Sequence, residues 1–178
     1  MRKHIARIIK STYGPSLVFL AAFALVAVLT IATHSPKRGA PTLQEAAVTS
    51  LHDYDGNSVN FQSFVGHPVV VFFWATWCPY CESELQNLAQ VKAKEGNNIT
   101  VLAVNRGEPL SVAKSYTDAL NLTGITYLLD SNDALFKKLG GYAMPEMVFI
   151  DRIGNIVVHQ RGPIDPAQVD QAVAQMLK

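Results

Sequence analysis

Val69-Val70-Val71-Phe72-Phe73-Trp74-Ala75-Thr76-Trp77-Cys78-Pro79-Tyr80-Cys81-Glu82 is the stretch on which the fold turns. Val69 to Trp74 is apolar throughout and rich in β-branched and aromatic residues, the pattern of a central strand buried on both faces. An aromatic corner follows, and then the only two cysteines of the 178-residue chain, two residues apart. From Cys78 to about Glu95 the pattern predicts a helix whose apolar stripe is Cys81, Leu85, Leu88 and Val91. Gly96-Asn97-Asn98 ends it.

Outward from that helix the pattern alternates. Upstream, Val48–Leu51 and Val59–Phe61 are short strands about the turn Asp53-Tyr54-Asp55-Gly56-Asn57. Downstream, Ile99–Val104 reads as a second buried strand. Ser111 caps a helix to about Leu120 with Val112, Tyr116, Ala119 and Leu120 inward. Ile125–Leu129 is a further strand, and Asn132 or Asp133 caps a short helix closed by Gly140-Gly141. Met147–Ile150 and Ile156–His159 form a hairpin, and Pro166 opens a last helix with Val169, Val173, Met176 and Leu177 inward. The order is β-β, β-α-β-α-β-α, β-β-α: an α/β domain with helices on both faces of one sheet.

The N-terminus differs in composition. Residues 1–40 hold six of the 15 Lys and Arg and no acid. Residues 41–178 therefore carry nine basic against 14 acidic side chains, net −5, which argues against a nucleic-acid-binding surface. Leu17–Ala32 is a charge-free apolar run, and 15–33 is within the length that spans a bilayer. Arg2, Lys3, Arg7 and Lys10 precede it and only Lys37 and Arg38 follow, so the basic end is expected to stay in the cytoplasm and the body to cross. Residues 1–14 are then a cytoplasmic basic N-terminus, 15–33 a transmembrane anchor, 34–42 a linker and 43–178 the folded domain. A cleaved signal peptide is the rival reading of 15–33. Either one sends the domain to an oxidising, extracytoplasmic space.

Two thiols at a helix start suit disulfide exchange. Unpaired amides and the macrodipole at the N-terminus favour a thiolate at Cys78, and Cys81 can resolve the mixed disulfide. Half a zinc site is the alternative, but no further Cys or His falls at ligand spacing, so no metal is assigned. The histidines His4, His34, His52, His67 and His159 receive no role, and His159 looks isolated. Glu84 lies one turn after Cys81 on the same face; in an apolar setting its pKa would rise, which would let it carry the proton of the second thiol. Glu82 reads as a first-turn acid.

Phe73-Trp74-Ala75-Thr76-Trp77-Cys78-Pro79-Tyr80-Cys81, with Glu84 and with Met144-Pro145-Glu146-Met147-Val148-Phe149-Ile150-Asp151 ahead of Gly154, resembles the membrane-anchored TlpA-like thioredoxins, which include the ResA and CcmG types of cytochrome c maturation. The likeness covers roughly residues 42–178 and the anchor. It implies a thioredoxin fold, a central mixed β-sheet flanked by helices, here with an N-terminal β-hairpin extension. It implies a thiol:disulfide oxidoreductase whose redox disulfide is Cys78–Cys81, with Cys78 the exposed, attacking thiol and Glu84 part of the active site. Trp77, Pro79, Tyr80, Met144, Pro145 and Glu146 would bind substrate, and Pro145 would be cis. Thioredoxin itself carries a buried Asp at the position of Phe72; that acid is missing here, which leaves Glu84 as the local proton carrier.

The implied work is reduction of a partner protein disulfide, with apocytochrome c a candidate, in the bacterial inner membrane facing the periplasm. A membrane thiol protein would supply electrons, and no cofactor is called for. A disulfide-forming oxidase and a copper-handling protein using Cys78, Cys81 and Met144 or Met147 are the alternatives.

Overall fold

The computed structural model describes residues 51–178. The expected N-terminal basic segment, anchor and linker lie outside the described residues.

Strand β3 (Val69–Trp74) is the centre of the molecule, and all six of its side chains are buried. Each contributes roughly 2 kcal/mol of burial. It pairs in parallel with β4 (Thr100–Arg106) and antiparallel with β6 (Glu146–Ile150). Beyond β4 lie β5 (Thr126–Asp130), β1 (Leu51–Asp53) and β2 (Ser58–Val59); beyond β6 lies β7 (Ile156–Arg161). The seven strands run β2-β1-β5-β4-β3-β6-β7 as one mixed sheet.

Strand alternation splits the core in two. Val70, Phe72 and Trp74 face one way, onto α1 (Cys81–Glu95), α2 (Leu110–Leu120) and α4 (Pro166–Met176). Val69, Val71 and Phe73 face the other way, onto α3 (Ala134–Lys138) and the 3-10 turn Phe61–Phe64. The α/β sheet with helices on both faces is thus as the sequence implies, and the hairpin β1–β2 extends it at one edge.

Several boundaries differ. Phe61 sits in the 3-10 turn, capped by Asn60, rather than ending β2. Helix α1 begins at Cys81, not Cys78. Pro79 disfavours helical backbone at the residue before it, and the Cys78 N–H is taken by Ala75 O at 3.1 Å, so residues 78–80 form a turn. Helix α2 begins at Leu110 because the Pro109 carbonyl takes the N–H of Val112 and of Ala113. That phase turns Ala113 and Thr117 inward and leaves Val112 and Ala119 outside. Helix α3 is capped from a strand: the buried Asp130 carboxylate accepts from Ala134 N at 2.8 Å and Phe136 N at 3.0 Å, while Asn132 adds a weaker contact to Ala134 N. Helix α4 starts at Pro166 as expected, behind a capping box between Asp165 and Gln168.

Candidate active site at the start of helix α1

Parallel and antiparallel neighbours bring three chain segments to one end of the sheet. β3 runs out at Trp74 into the cysteine turn. Its antiparallel partner begins there, with Glu146 opposite Phe73, so Met144 and Pro145 reach the same end from the other side. β4 ends beside them, with Asn105 opposite Trp74, and leads into Glu108.

Cys78 and Cys81 are joined as a disulfide with Cα atoms 5.5 Å apart. The exposed thiol that the resemblance implies is not found in this oxidised form: Cys78 is 3% exposed and Cys81 fully buried. Both belong to the apolar cluster of Phe72, Trp74, Leu85 and Met147, which draws the turn inward. The flanking Trp77 and Tyr80 stand out instead, 64% and 55% exposed.

Glu84 is brought to the site. It lies in the first turn of α1 with 6% exposure, and its Oε1 accepts the backbone N–H of Ile164 at 3.1 Å. Burial pushes its pKa up to about 7 against the pull of that hydrogen bond, so the carboxyl is poised to hold or release a proton near neutrality.

The Met144–Pro145 peptide is cis, as the resemblance implies. Glu146 does not line the groove beside it. Strand alternation turns Glu146 to the same face as Phe73, away from the cysteines, and it is fully buried there. Its Oε2 accepts the N–H of Tyr142 at 2.8 Å and of Ala143 at 2.9 Å, and its Oε1 pairs with His159 and, at 3.5 Å, with Arg161. His159 is therefore not isolated.

Glu108 is a site residue that the sequence reading passes over. Its Oε2 accepts from Thr76 N at 2.9 Å and Asn105 Nδ2 at 2.6 Å, and its Oε1 accepts the Thr76 hydroxyl. Burial would raise its pKa, but the hydrogen bonds from Thr76 and Asn105 outweigh burial and hold it below the usual carboxylate range. A fixed anion thus braces the corner two residues before Cys78. The only hint in the sequence is a polar Asn105-x-x-Glu108 at the end of an otherwise apolar strand.

The chain resembles known proteins in sequence and in fold. The family model described as Redoxin matches residues 37–176. The chain is 31% identical over 162 residues to the thiol:disulfide interchange protein DsbE of Escherichia coli strain K12, covering 85% of each chain. It is 24% identical over 129 residues to the thiol-disulfide oxidoreductase ResA of Halalkalibacterium halodurans, covering 72% of this chain and 73% of that one. A secreted Mycobacterium tuberculosis disulfide oxidoreductase of solved structure superposes with a TM-score of 0.66 over 74% of this chain and 98% of that one; at 23% identity it supports the thioredoxin-like fold alone. The Redoxin match takes in every strand and helix described above, and the chain accordingly belongs to that family, as a thiol:disulfide oxidoreductase of the DsbE and ResA type.

Proposed function

We propose that this oxidoreductase is a membrane-tethered reductant of partner protein disulfides outside the cytoplasm, working in cytochrome c maturation on apocytochrome c. The apolar run 15–33 with its basic N-terminal flank supports the tether and the orientation. The DsbE and ResA relatives support the chemistry. The observation that carries the catalytic reading is Glu84: a buried carboxyl, near neutral pKa, one turn along the helix from Cys81.

In the reduced protein, the Cys78 thiolate attacks one sulfur of the partner disulfide. A Cys78–partner bond forms, and the other partner sulfur leaves as a thiolate and takes up a proton. Cys81 gives its proton to Glu84 and attacks Cys78 Sγ. The Cys78–Cys81 disulfide closes, the mixed disulfide breaks, and the second partner sulfur departs as a thiolate and takes up a proton. Two electrons pass from the cysteine pair to the partner, and a membrane thiol protein returns them. Trp77, Pro79, Tyr80, Met144 and Pro145 form the edge that holds the partner's chain, with Trp77 and Tyr80 as its exposed aromatic grips.

The Cys81→Ser variant tests the assignment. It is expected to hold its partner on Cys78 in whole cells, and recovery of apocytochrome c from that mixed disulfide supports the reading. Trapping of other proteins with no haem-binding cysteines would defeat it. A Cys78–Cys81 reduction potential well above the about −270 mV of thioredoxin would overturn the reductant direction.

A further inference from the structure

Glu146 is the most deeply buried acid of the β6–β7 hairpin, and the described residues around it share one purpose. One oxygen takes two successive backbone N–H groups, of Tyr142 and Ala143. The other meets two basic side chains from β7, His159 and Arg161. Arg161 Nη2 also donates to Gly140 O at 3.2 Å and faces His159 Nδ1 at 3.3 Å. Because a guanidinium only donates, Nδ1 accepts, and the hydrogen of the ring lies on Nε2, toward Glu146. Gly162 N–H donates to Pro145 O at 2.8 Å, so β7 and the residue after it hold the loop at both its ends.

The held segment, Gly140 to Pro145, carries Met144–Pro145 and the 87% exposed Tyr142 at the sheet end occupied by the cysteine turn. A buried carboxylate left without these donors would either take up a proton or draw in water, and in both cases its grip on two backbone amides weakens.

We propose that His159 and Arg161 are positioning residues for partner recognition: through Glu146 they fix the backbone of 140–143 and so the edge that Met144 and Tyr142 present to a partner chain. The inference rests on the proposed docking of a partner along Met144–Pro145. It makes two side chains of the edge strand β7, on the face of the sheet away from Cys81, determinants of substrate affinity with no contact to substrate.

The test uses the full-length protein in membranes or detergent, reduced beforehand, acting on a synthetic peptide closed by a Cys-x-x-Cys-His disulfide. His159→Ala and Arg161→Ala are expected to raise KM roughly tenfold, the loss of one hydrogen bond to a buried charged group, with kcat and the Cys78–Cys81 potential unchanged. His159→Gln, whose amide can still donate to Glu146, is expected to recover most of the affinity. Where Arg161→Ala does not fold, Arg161→Lys is read in its place, with a few-fold rise in KM, since one ammonium cannot serve both Glu146 and Gly140. A fall in kcat at constant KM, a shifted potential, or an unchanged KM overturns the proposal. Tyr142→Ala and Met144→Ala separate the two layers. If they leave KM unchanged, the docking reading fails and the positioning role falls with it; if they raise KM while the β7 variants do not, only the positioning role fails.

Discussion

The N–H of Ile164 donates to Oε1 of Glu84 across 3.1 Å, tying the first turn of α1 to the loop that opens α4. The bond fixes where the carboxyl sits. Burial decides its protonation, because one hydrogen bond does not replace the water that the charged form loses.

That balance predicts a stability that falls with pH. The folded pKa of Glu84 is about 7, above its ordinary 4.5. The folded protein therefore binds more protons than the unfolded chain between those values. The stabilisation is full below about 4.5, is lost as pH rises through about 7, and is flat above. Glu84→Gln keeps an acceptor for Ile164 and cannot ionise, so at pH 8 it is expected to be more stable than the parent by up to about 3 kcal/mol, and close to it at pH 4. Urea unfolding of the oxidised protein at the two pH values measures this. Equal parent stability at both, or no gain for the variant at pH 8, would show that Glu84 is ionised without cost.

The same variant should be slow where the parent is fast. If Glu84 takes the Cys81 proton, Glu84→Gln lowers the rate of mixed-disulfide resolution by about 100-fold at pH 7, with the first attack by Cys78 little changed. Stopped-flow kinetics with a peptide disulfide separates the two phases. Loss of rate in the first phase alone would assign Glu84 a different task.

Glu108 gives the opposite sign. Its folded pKa is depressed, so its contribution is present above the ordinary carboxylate value and is lost as pH falls through the lower folded one. Glu108→Ala leaves Thr76 N, the Thr76 hydroxyl and Asn105 Nδ2 without their acceptor, and Asn105 is fully buried. The expected loss is about 2 kcal/mol at pH 7, shrinking as pH falls through the depressed folded pKa and protonation weakens the same bonds in the parent. Thermal unfolding across that range reads the difference, and a constant difference would mean that the carboxylate charge plays no part.

How far these sites can be read from sequence follows from how far apart their members lie. Val69–Trp74 is legible because every residue is apolar, which only a doubly covered strand tolerates. Cys81, Glu84, Leu85 and Leu88 are legible because helical spacing alone puts them on one face. The start of α1 is less so, since Pro79 and the Ala75 carbonyl close a turn that periodicity does not register. Glu108 meets Thr76 across 32 residues, through the parallel register of β3 with β4, and no local pattern records that. Glu146 follows Pro145 in the sequence and on that ground reads as part of the groove. The period of two sends it to the opposite face, and a hairpin register with Glu146 across from Arg161 was the available signal.

Asp130 supplies a test of the fold away from the cysteines. Its carboxylate, at the end of β5, caps α3 through Ala134 N and Phe136 N. Asp130→Ala removes both acceptors inside the protein and is expected to cost about 2 kcal/mol in urea unfolding, with Asp130→Asn losing less because one oxygen remains. Leu135 and Phe136 pack under Phe73, so loosening of α3 should also raise amide exchange along β3. Unchanged stability in Asp130→Ala would mean that Asn132 is a sufficient cap.

Trp77 and Tyr80 decide whether the protein chooses its partner by side-chain contact. Both are exposed beside a nearly covered disulfide, so a partner chain meets the rings before it meets sulfur. Exposed aromatics of this kind contribute little to folding and much to association, where truncation of one removes about 1–2 kcal/mol of binding. Trp77→Ala and Tyr80→Ala are therefore expected to keep the parent's unfolding midpoint while kcat/KM on a disulfide-closed peptide falls about tenfold each. Hydroxyethyl disulfide, too small to span both rings, should be reduced with a much smaller loss. Steady-state rates on the two substrates give the ratio, and an equal fall on both would mean that the rings shape the reactivity of Cys78 itself rather than the grip on a partner.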